Sequence, residues 1–431
     1  MRYISTRGQA PALGFEDTML TGLARDGGLY VPDTIPTLSQ ADIAAMAGLP
    51  YEDIAVRVMY PFTTGAFSED TFADLVTRAY AGFGHAARAP VKQLAPGHFL
   101  LELFHGPTLA FKDFAMQLIG QMFQHTLAKR GEQITIVCAT SGDTGSAAME
   151  AFRGLDATQV FVLFPDGRVS EVQRRQMTTP VEGNVHALAL QGDFDDCQAR
   201  VKDMFNDFAF RDEVSLAAVN SINWARVLAQ VVYYFAAGTA LGAPHRPVSF
   251  TVPTGNFGDI FAGFIAKRMG LPIDRLVIAT NQNDILHRCV AANDHTKRGV
   301  KPSISPSMDI EVSSNFERAL HEAHGRDGAA VAALMDELKQ TGGFSVSANA
   351  MGALRDHYDS GMADEATTTD TITRTLANSA ELLCPHAAVG VHVAEQHLGH
   401  SPMVTLATAH PAKFPDAVEA ATGIRPPLPK R

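Results

Sequence analysis

Three short segments combine residue types that can do covalent chemistry on a small anionic molecule. In the first, HGPTLAFKDF, a single amine, Lys112, stands between an apolar run and a helical pattern. Apolar residues recur on one face of that pattern between positions 114 and 127. Asp113 stands where an acidic residue favours a helix start, so we predict that it caps the helix. An amine held at such a junction is favoured in its neutral, nucleophilic form by burial and by the helix dipole.

The other two segments, VCATSGDTGSAAMEAF and FTVPTGNFGDIFAGF, place small residues between a strand-like run and a helix. Glycines there let backbone N–H groups approach an anion, and the helix N-terminus adds positive potential. Neither loop has a Walker A or GxGxxG pattern, so the sequence gives little support for nucleotide binding. One lysine and two anion sites suit pyridoxal phosphate, whose carbonyl forms a Schiff base with lysine, and an amino-acid substrate with a carboxylate.

Each feature has a plainer explanation when it is taken singly. A Gly/Ser loop is usually a tight connection, and a lone lysine at a helix start is usually solvated. The combination of the three segments favours function over these explanations.

Strand-like runs alternate with helical patterns along most of the chain, which predicts an α/β fold with parallel sheets. The runs cover residues 99–104, 134–139, 159–164, 185–190, 248–252, 275–280 and 403–408. The segment GMADEATTTD, residues 361–370, is predicted to be a loop.

The composition excludes several classes of protein. A net charge of −11 over 431 residues argues against a nucleic-acid or anionic membrane surface. The longest uncharged apolar stretch, residues 231–243, is too short to span a bilayer. Four scattered cysteines suggest neither disulfides nor zinc, and the N-terminus has no signal-peptide core, so we expect a cytoplasmic protein. No pattern indicates an oligomeric state.

The sequence resembles the threonine synthase family, within the fold-type II pyridoxal-phosphate enzymes. The matching segments are DGGLYVP, HGPTLAFKDFAMQ, ATSGDTGSAA, NSINWARVLAQ, PTGNFGD, SSNFER and TAHPAKF. The resemblance implies two open parallel-sheet lobes with the cofactor between them, preceded by a mixed N-terminal domain. We place that domain at residues 1–95, the catalytic region at 96–431, and its smaller mobile lobe at about 140–235.

The resemblance also implies roles for individual residues. Lys112 would hold pyridoxal 5'-phosphate covalently, and Thr408 would face its pyridine nitrogen. The cofactor phosphate would be bound by Gly255, Asn256, Phe257, Gly258 and Asp259. The substrate carboxylate would be held by Thr140, Ser141, Gly142, Asp143 and Thr144, which would also touch the phenolic oxygen of the cofactor.

The segment NSINWARVLAQ is predicted to bind a substrate phosphate. Asn220 or Ser221 would cap the helix that follows, and Asn223 and Arg226 would share one of its faces. Arg226 is a planar double donor suited to phosphate, with Asn220, Ser221 and Asn223 adding neutral hydrogen bonds. The alternative is a solvated Arg226 and asparagines that only cap. Arg318, with Asn315 in SSNFER, is the second candidate for the phosphate.

Two departures from the family pattern stand out. Many fold-type II enzymes carry Asn where Asp143 stands, and its carboxylate would repel both the phenolate and the substrate. Asp143 is therefore expected to turn away, to be protonated or to be paired. Residues 384–390, CPHAAVG, lack the Asp and Thr that relatives often carry there. The spacing of His386, His392 and His397 does not place them on one helix face, so we predict no metal site.

The family reaction implied by this resemblance converts O-phospho-L-homoserine and water to L-threonine and phosphate. Three alternatives stay open from the residues. One is a related serine/threonine dehydratase or β-replacement synthase, and another is a phospho-lyase that releases phosphate and a keto acid. The third, a regulatory protein that binds the cofactor without catalysis, is disfavoured because Lys112 and the glycines of the cofactor loop are intact.

Overall fold

The computed structural model describes residues 1–192 and 194–429. The predicted regions 96–431 and 140–235 also include residues 193, 430 and 431, which lie outside the described residues. The first part of the chain is mainly helical around two short antiparallel strands. Its elements are β1 (Tyr3–Ser5), α1 (Phe15–Thr21), β2 (Tyr30–Pro32), α2 (Gln40–Ala44), α3 (Tyr51–Thr63) and α4 (Glu69–Tyr80).

Strands and helices alternate through the rest of the chain. They are β3 (Val91–Ala95), β4 (His98–Glu102), α5 (Lys112–Arg130), β5 (Ile134–Ala139), α6 (Asp143–Phe152), β6 (Thr158–Pro165), α7 (Glu171–Thr178), β7 (Val185–Leu190), α8 (Phe194–Asn206), α9 (Phe208–Glu213), β8 (Leu216–Ala217), α10 (Trp224–Ala240), β9 (Val248–Pro253), α11 (Gly258–Arg268), β10 (Ile273–Thr280), α12 (Ile285–Ala292), β11 (His295–Thr296), α13 (Phe316–Ala323), α14 (Gly328–Thr341), β12 (Gly343–Phe344), α15 (Ala348–Arg355), β13 (Tyr358–Met362), α16 (Glu365–Ser379), α17 (Pro385–Glu395), β14 (Met403–Ala407) and α18 (Pro415–Thr422). Short 3₁₀ helices cover Pro306–Met308 and Pro411–Lys413.

Two sheets organise the chain from β3 onward. The larger has six strands in the order β13-β10-β9-β14-β4-β3, and only β3 is antiparallel to its neighbour. The smaller has four parallel strands in the order β7-β6-β5-β8. The carboxyl ends of the adjacent strands β4, β14 and β9 therefore share one edge of the larger sheet, where ligands bind in open α/β folds. This is the α/β, fold-type II arrangement that the sequence predicts.

The helices that carry the site are buried on nearly all sides. In α10 the apolar side chains from Trp224 to Ala237, apart from Ala236, are almost fully buried, and this helix packs against α3, α5 and α11. The N-terminal region thus covers the same helices that support the lysine junction. Helix α17 packs on the other face of the large sheet, against β9, β10 and β14. No helix within the described ranges has the length and apolarity needed to cross a bilayer.

The loop predicted at residues 361–370 is wrong. Strand β13 ends at Met362, and α16 begins at Glu365. Asp364 caps this helix by accepting a hydrogen bond from the Thr367 N–H. The polar sequence hid the helix because threonine hydroxyls there donate to carbonyls four residues earlier, while Thr368, Thr371 and Ile372 are buried.

Candidate active site

The lysine junction is built by the turn between β4 and α5. Helix α5 begins at Lys112, whose side chain is buried. The prediction that Asp113 caps the helix is wrong, because its carboxylate turns back to the preceding loop. It accepts hydrogen bonds from the Thr108 N–H (2.8 Å) and hydroxyl (2.6 Å). A Cβ on Gly106 would lie 2.4 Å from the Asp113 Cβ, so only glycine fits this turn.

Burial favours the neutral form of the Lys112 amine, while the charges around it act in both directions. Its Nζ lies 3.5 Å from Asp143 Oδ2 and 4.7 Å from the centre of the Phe111 ring. Burial lowers the pKa of the Lys112 amine, and the Arg226 and Lys413 cations lower it further against the opposing effect of Asp143. The amine is thereby suited to act as a nucleophile and base.

Thr408 is held directly beside the lysine loop. It follows β14, and its carbonyl accepts a hydrogen bond from the Phe111 N–H (2.8 Å), while the His410 N–H donates to the Leu109 carbonyl (3.0 Å). Thr408 is buried, and its hydroxyl makes no hydrogen bond to the residues that the structure describes. A hydroxyl that is both buried and available is suited to a ring nitrogen of a ligand.

The loop of residues 255–259 forms an anion cradle between β9 and α11. Its backbone N–H groups find no acceptor in the described part of the chain. Phe257 adopts φ +64° at the start of α11, and a Cβ on Gly255 would lie 2.5 Å from the Ser307 carbonyl oxygen. The Asn315 side chain and N–H both donate to the Asn256 carbonyl, at 2.9 and 3.0 Å. Asn315 thus fixes the conformation of the cradle through the Asn256 carbonyl and leaves the backbone N–H groups of the cradle without an acceptor among the described residues.

Asp259 lies under this cradle in an unusual state. Its Oδ1 accepts hydrogen bonds from the Tyr233 and Tyr234 hydroxyls, and its Oδ2 has no described partner. Burial raises the pKa of the Asp259 carboxyl to about 7. A carboxyl with this pKa carries only part of a negative charge at neutral pH, which reduces its repulsion of a bound phosphate.

The second small-residue loop leads from β5 into α6. The Thr140 hydroxyl accepts hydrogen bonds from the Gly142 and Gly145 N–H groups, both at 2.9 Å. Gly142 adopts φ +129°, and a Cβ there would overlap the Gln173 side chain at 2.3 Å. The half-buried hydroxyls of Ser141 and Thr144 make no hydrogen bond within the described residues, so they are available to a ligand.

Asp143 is paired, the third of its three expected alternatives. Its Oδ1 lies 2.7 Å from Lys413 Nζ and accepts a hydrogen bond from Gln173 Nε2 at 3.0 Å. Burial alone would raise the pKa of the Asp143 carboxyl, but the Lys413 and Lys112 ammonium groups hold it well below its usual range. Sequence reasoning missed Lys413 and Gln173. The only signal was Lys413 within the motif TAHPAKF.

The segment NSINWARVLAQ, which is predicted to bind the substrate phosphate, begins with a turn that leads into α10. The cap of α10 is Asn223, so the predicted cap at Asn220 or Ser221 is wrong. The Asn223 Oδ1 accepts from the Ala225 N–H, while its Nδ2 donates to the Met19 and Ala218 carbonyls. Both amide hydrogens of the fully buried Asn223 are used, so its side chain has no free donor for a phosphate in this arrangement. The Asn220 Oδ1 accepts from the Ile222 N–H at 3.3 Å, as a turn requires.

The two candidate arginines differ in what they bind. Arg318 is fully buried and donates to the carbonyls of Tyr30 and Ile222 and to the Asn315 side chain. Its hydrogen bonds tie the N-terminal region to the catalytic region. Arg226 is also buried but has one long bond, from Nη1 to the Val219 carbonyl at 3.4 Å, and its Nε has no described partner.

His386 is a third residue that sequence reasoning did not place in the site. It is buried, its Nε2 accepts a hydrogen bond from the Ser307 N–H (3.2 Å), and its ring lies 4.8 Å from that of Phe414. Burial lowers the pKa of His386 to about 4, so it is neutral beside Lys112 and Asp143. Within the described residues, no group of His, Cys, Asp and Glu could hold a metal ion.

The residues present fit a phosphorylated cofactor with a carbonyl and a ring nitrogen. The lysine amine, the N–H cradle and the buried hydroxyl lie at the carboxyl ends of β4, β9 and β14, which are neighbours in the sheet. The smaller sheet supplies a second loop across from Lys112, at the start of α6.

Known proteins match this chain along its whole length. Family models described as threonine synthase N terminus, pyridoxal-phosphate dependent enzyme, and threonine synthase C-terminal match residues 2–80, 87–368 and 387–431. A threonine synthase from Pseudomonas aeruginosa is 55% identical over 432 residues, covering 100% of this chain and 92% of the relative.

Solved structures agree with these matches. A PLP-bound threonine synthase from Brucella melitensis is 57% identical with a TM-score of 0.97, covering 100% of this chain and 93% of that one. The yeast threonine synthase is 40% identical with a TM-score of 0.92, covering 97% and 89%. The chain belongs to the threonine synthase family and is a pyridoxal-phosphate-dependent enzyme of fold type II.

Proposed function

We propose that the chain converts O-phospho-L-homoserine and water to L-threonine and phosphate, with pyridoxal 5'-phosphate attached to Lys112. Bound cofactor supplies an electron sink for negative charge that develops on the substrate carbons. Residues 255–259 hold its phosphate through their backbone N–H groups, and the Thr408 hydroxyl faces its ring nitrogen. The small-molecule substrate is supported by the family, and its phosphate by the contacts described next.

The observation that carries the proposed substrate is the state of Arg226. Its guanidinium is buried without a carboxylate partner among the described residues, and its Nε is unsatisfied. Burial lowers the pKa of Arg226 to about 10, which still leaves it charged at neutral pH. A buried unpaired cation is costly, and a dianionic phosphate offers the oxygens that it lacks. Its charge also acts on Lys112, which places it near the reacting atoms.

The remaining roles follow from the same geometry. Ser141 and Thr144 hold the substrate carboxylate with their hydroxyls and with backbone N–H groups at the start of α6. The Lys112 Nζ, buried and of lowered pKa, moves protons at Cα and Cβ of the substrate. Water then adds at Cβ of the substrate.

A product assay tests the proposal. Purified, cofactor-loaded protein is supplied with O-phospho-L-homoserine, and threonine, keto acid and phosphate are measured together. Equal amounts of threonine and phosphate are expected. Keto acid with phosphate would instead indicate a phospho-lyase, and turnover of serine or threonine without need for phosphate would indicate a dehydratase. The scattered cysteines, which predict no disulfide framework, support a cytoplasmic location for this activity.

A further inference from the structure

Two buried lysines share one buried carboxylate in this structure. Asp143 begins α6, which follows a strand of the smaller sheet. Lys112 begins α5 and Lys413 ends a 3₁₀ helix, and these two elements follow strands of the larger sheet. The exposed fractions of the three residues are 3%, 8% and 0%. Lys413 therefore sits in a place where lysine is almost never found unless it is paired.

The carboxylate is matched mainly to Lys413. Lys413 Nζ lies 2.7 Å from Oδ1, while Lys112 Nζ lies 3.5 Å from Oδ2. Gln173 Nε2 donates to Oδ1 and so fixes the plane of the carboxylate on the Lys413 side. A charge already neutralised at close range attracts a third group less strongly.

The neighbouring groups make this pairing consequential for Lys112. An unpaired carboxylate within 4–6 Å of an amine raises the pKa of that amine, typically by about one to three units. Arg226 from α10 acts in the opposite direction, and His386 from α17 and Asp259 from α11 also lie within electrostatic range of Lys112. Among these groups, Lys413 is the cation in direct contact with Asp143 apart from Lys112 itself.

We propose that Lys413 is a positioning residue that neutralises Asp143, so that a carboxylate can stand beside Lys112 without retaining the proton on its Nζ. The proposal rests on Lys112 holding the cofactor. It explains why an acidic residue is tolerated at this position, since the Lys413–Asp143 pair acts as a neutral unit toward both the cofactor and the substrate carboxylate.

The test is a pH titration of the visible absorbance of the cofactor-loaded protein, which reports the proton at the Lys112 nitrogen. Lys413→Gln should raise the titration midpoint by about one to three units, because Asp143 is left unneutralised, and Asp143→Asn should lower it because Lys413 is left unneutralised. The double variant Lys413→Gln/Asp143→Asn should return to within about half a unit of the wild type, since a neutral pair replaces a neutral pair.

Two further variants separate this role from simple stabilisation. Lys413→Arg keeps the charge and should retain the wild-type midpoint. Lys129→Gln removes an exposed lysine paired with Glu16 at 2.9 Å and should change nothing. Loss of a buried partner also destabilises the fold, so the melting temperature of each variant is measured.

The outcomes are distinct. Lower melting temperatures with unchanged midpoints, or a double variant no closer to the wild type than the single variants, would overturn the proposal. If Lys413→Gln does not fold, the titration midpoint of Lys413→Arg can still be compared with that of the wild type. The midpoint of the double variant can likewise be compared with that of Asp143→Asn. If Lys112→Ala keeps the visible cofactor absorbance of the wild type, the Lys112 assignment is refuted instead.

Discussion

The carbonyl oxygen of Thr408 accepts a hydrogen bond of 2.8 Å from the backbone N–H of Phe111, the residue that precedes Lys112. An isolated antiparallel bridge between Ala110 and Ala409 extends this contact. Lys112 and Thr408, the proposed ring-nitrogen partner, are therefore held together by backbone hydrogen bonds, although they are far apart in the sequence. Substitutions that alter only side chains here should change chemistry more than geometry.

Replacing Lys112 with alanine removes the amine proposed to hold the cofactor. The variant should lose the visible absorbance of the bound cofactor and nearly all threonine formation, because the amine proposed to bind the cofactor and to move protons is removed. Absorbance spectra and turnover check this, with Lys129→Ala as a control on an exposed lysine. Wild-type threonine formation by Lys112→Ala would refute the assignment.

Replacing Thr408 with aspartate places a carboxylate at the ring nitrogen. A protonated nitrogen is a stronger electron sink, so the variant should show a changed absorbance spectrum and a different ratio of threonine to keto acid. Thr408→Ser keeps the hydroxyl and should behave as the wild type. If neither spectrum nor product ratio changes in Thr408→Asp, the residue does not face the nitrogen.

Replacing Arg226 with alanine should weaken the reaction of phosphorylated substrate selectively. Loss of a charged hydrogen bond in a buried site costs about 2–5 kcal/mol, expected in kcat/KM for O-phospho-L-homoserine. Binding of threonine, which lacks the phosphate, should change much less. Arg318→Ala is the contrasting variant, because loss of its bonds to Tyr30 and Ile222 should lower stability and affect both ligands alike. Equal losses for both ligands in Arg226→Ala would point to a structural role.

A methyl group at Gly255 should close the phosphate cradle. The added Cβ would lie 2.5 Å from the Ser307 carbonyl, so the backbone must shift at a cost of about 1–3 kcal/mol. Cofactor affinity, measured by titration of the apoprotein, should fall in Gly255→Ala. Gly352→Ala, at a helical site with open space, should leave affinity unchanged. Unaltered affinity in Gly255→Ala would show that the cradle does not bind phosphate.

Asp259 should make stability depend on pH. Burial raises the pKa of its carboxyl to about 7, above the unfolded value of about 4, so the folded state binds the proton more tightly. The stabilisation is full below pH 4 and is lost as the pH rises through 7. Between pH 5 and 8, the free energy of unfolding of the wild type should fall by about 2–3 kcal/mol relative to Asp259→Asn, measured by denaturant titration. Parallel pH profiles for the two proteins would contradict this.

Local patterns were sufficient to predict seven of the ten strands in the two main sheets, but not β3, β8 or β13, and to predict the three loops. The runs at 134–139 and 185–190 match β5 and β7 in both bounds. For β5 the reason is that a buried parallel strand is a nearly continuous apolar run. Lys112 was marked by its place between such a run and a helix. These features depend on neighbours in sequence, where periodicity and turn chemistry act.

Contacts between distant segments decided what the sequence could not reveal. The pairing of Asp143 with Lys413 joins two lobes, so nothing near Asp143 in sequence signals it. Arg226 and Arg318 are equivalent as residue types, and the bonds of Arg318 to the carbonyls of Tyr30 and Ile222 make it structural. Asn223, and not Asn220 or Ser221, caps α10. The Met19 carbonyl, from the N-terminal region, accepts a hydrogen bond from the Asn223 amide and so orients the capping side chain.

The place of β14 has a consequence for how the enzyme is made. This strand lies between β4 and β9 in the sheet, yet it follows both by a long stretch of chain. During translation, β4 and β9 leave the ribosome before residues 403–413 have been synthesised. Until then, the edges of β4 and β9 that pair with β14 have no hydrogen-bonding partner. We expect the nascent chain to bind no cofactor until residues 403–413 have been synthesised. Premature termination before residue 403 would then yield a product without activity rather than a weakened enzyme.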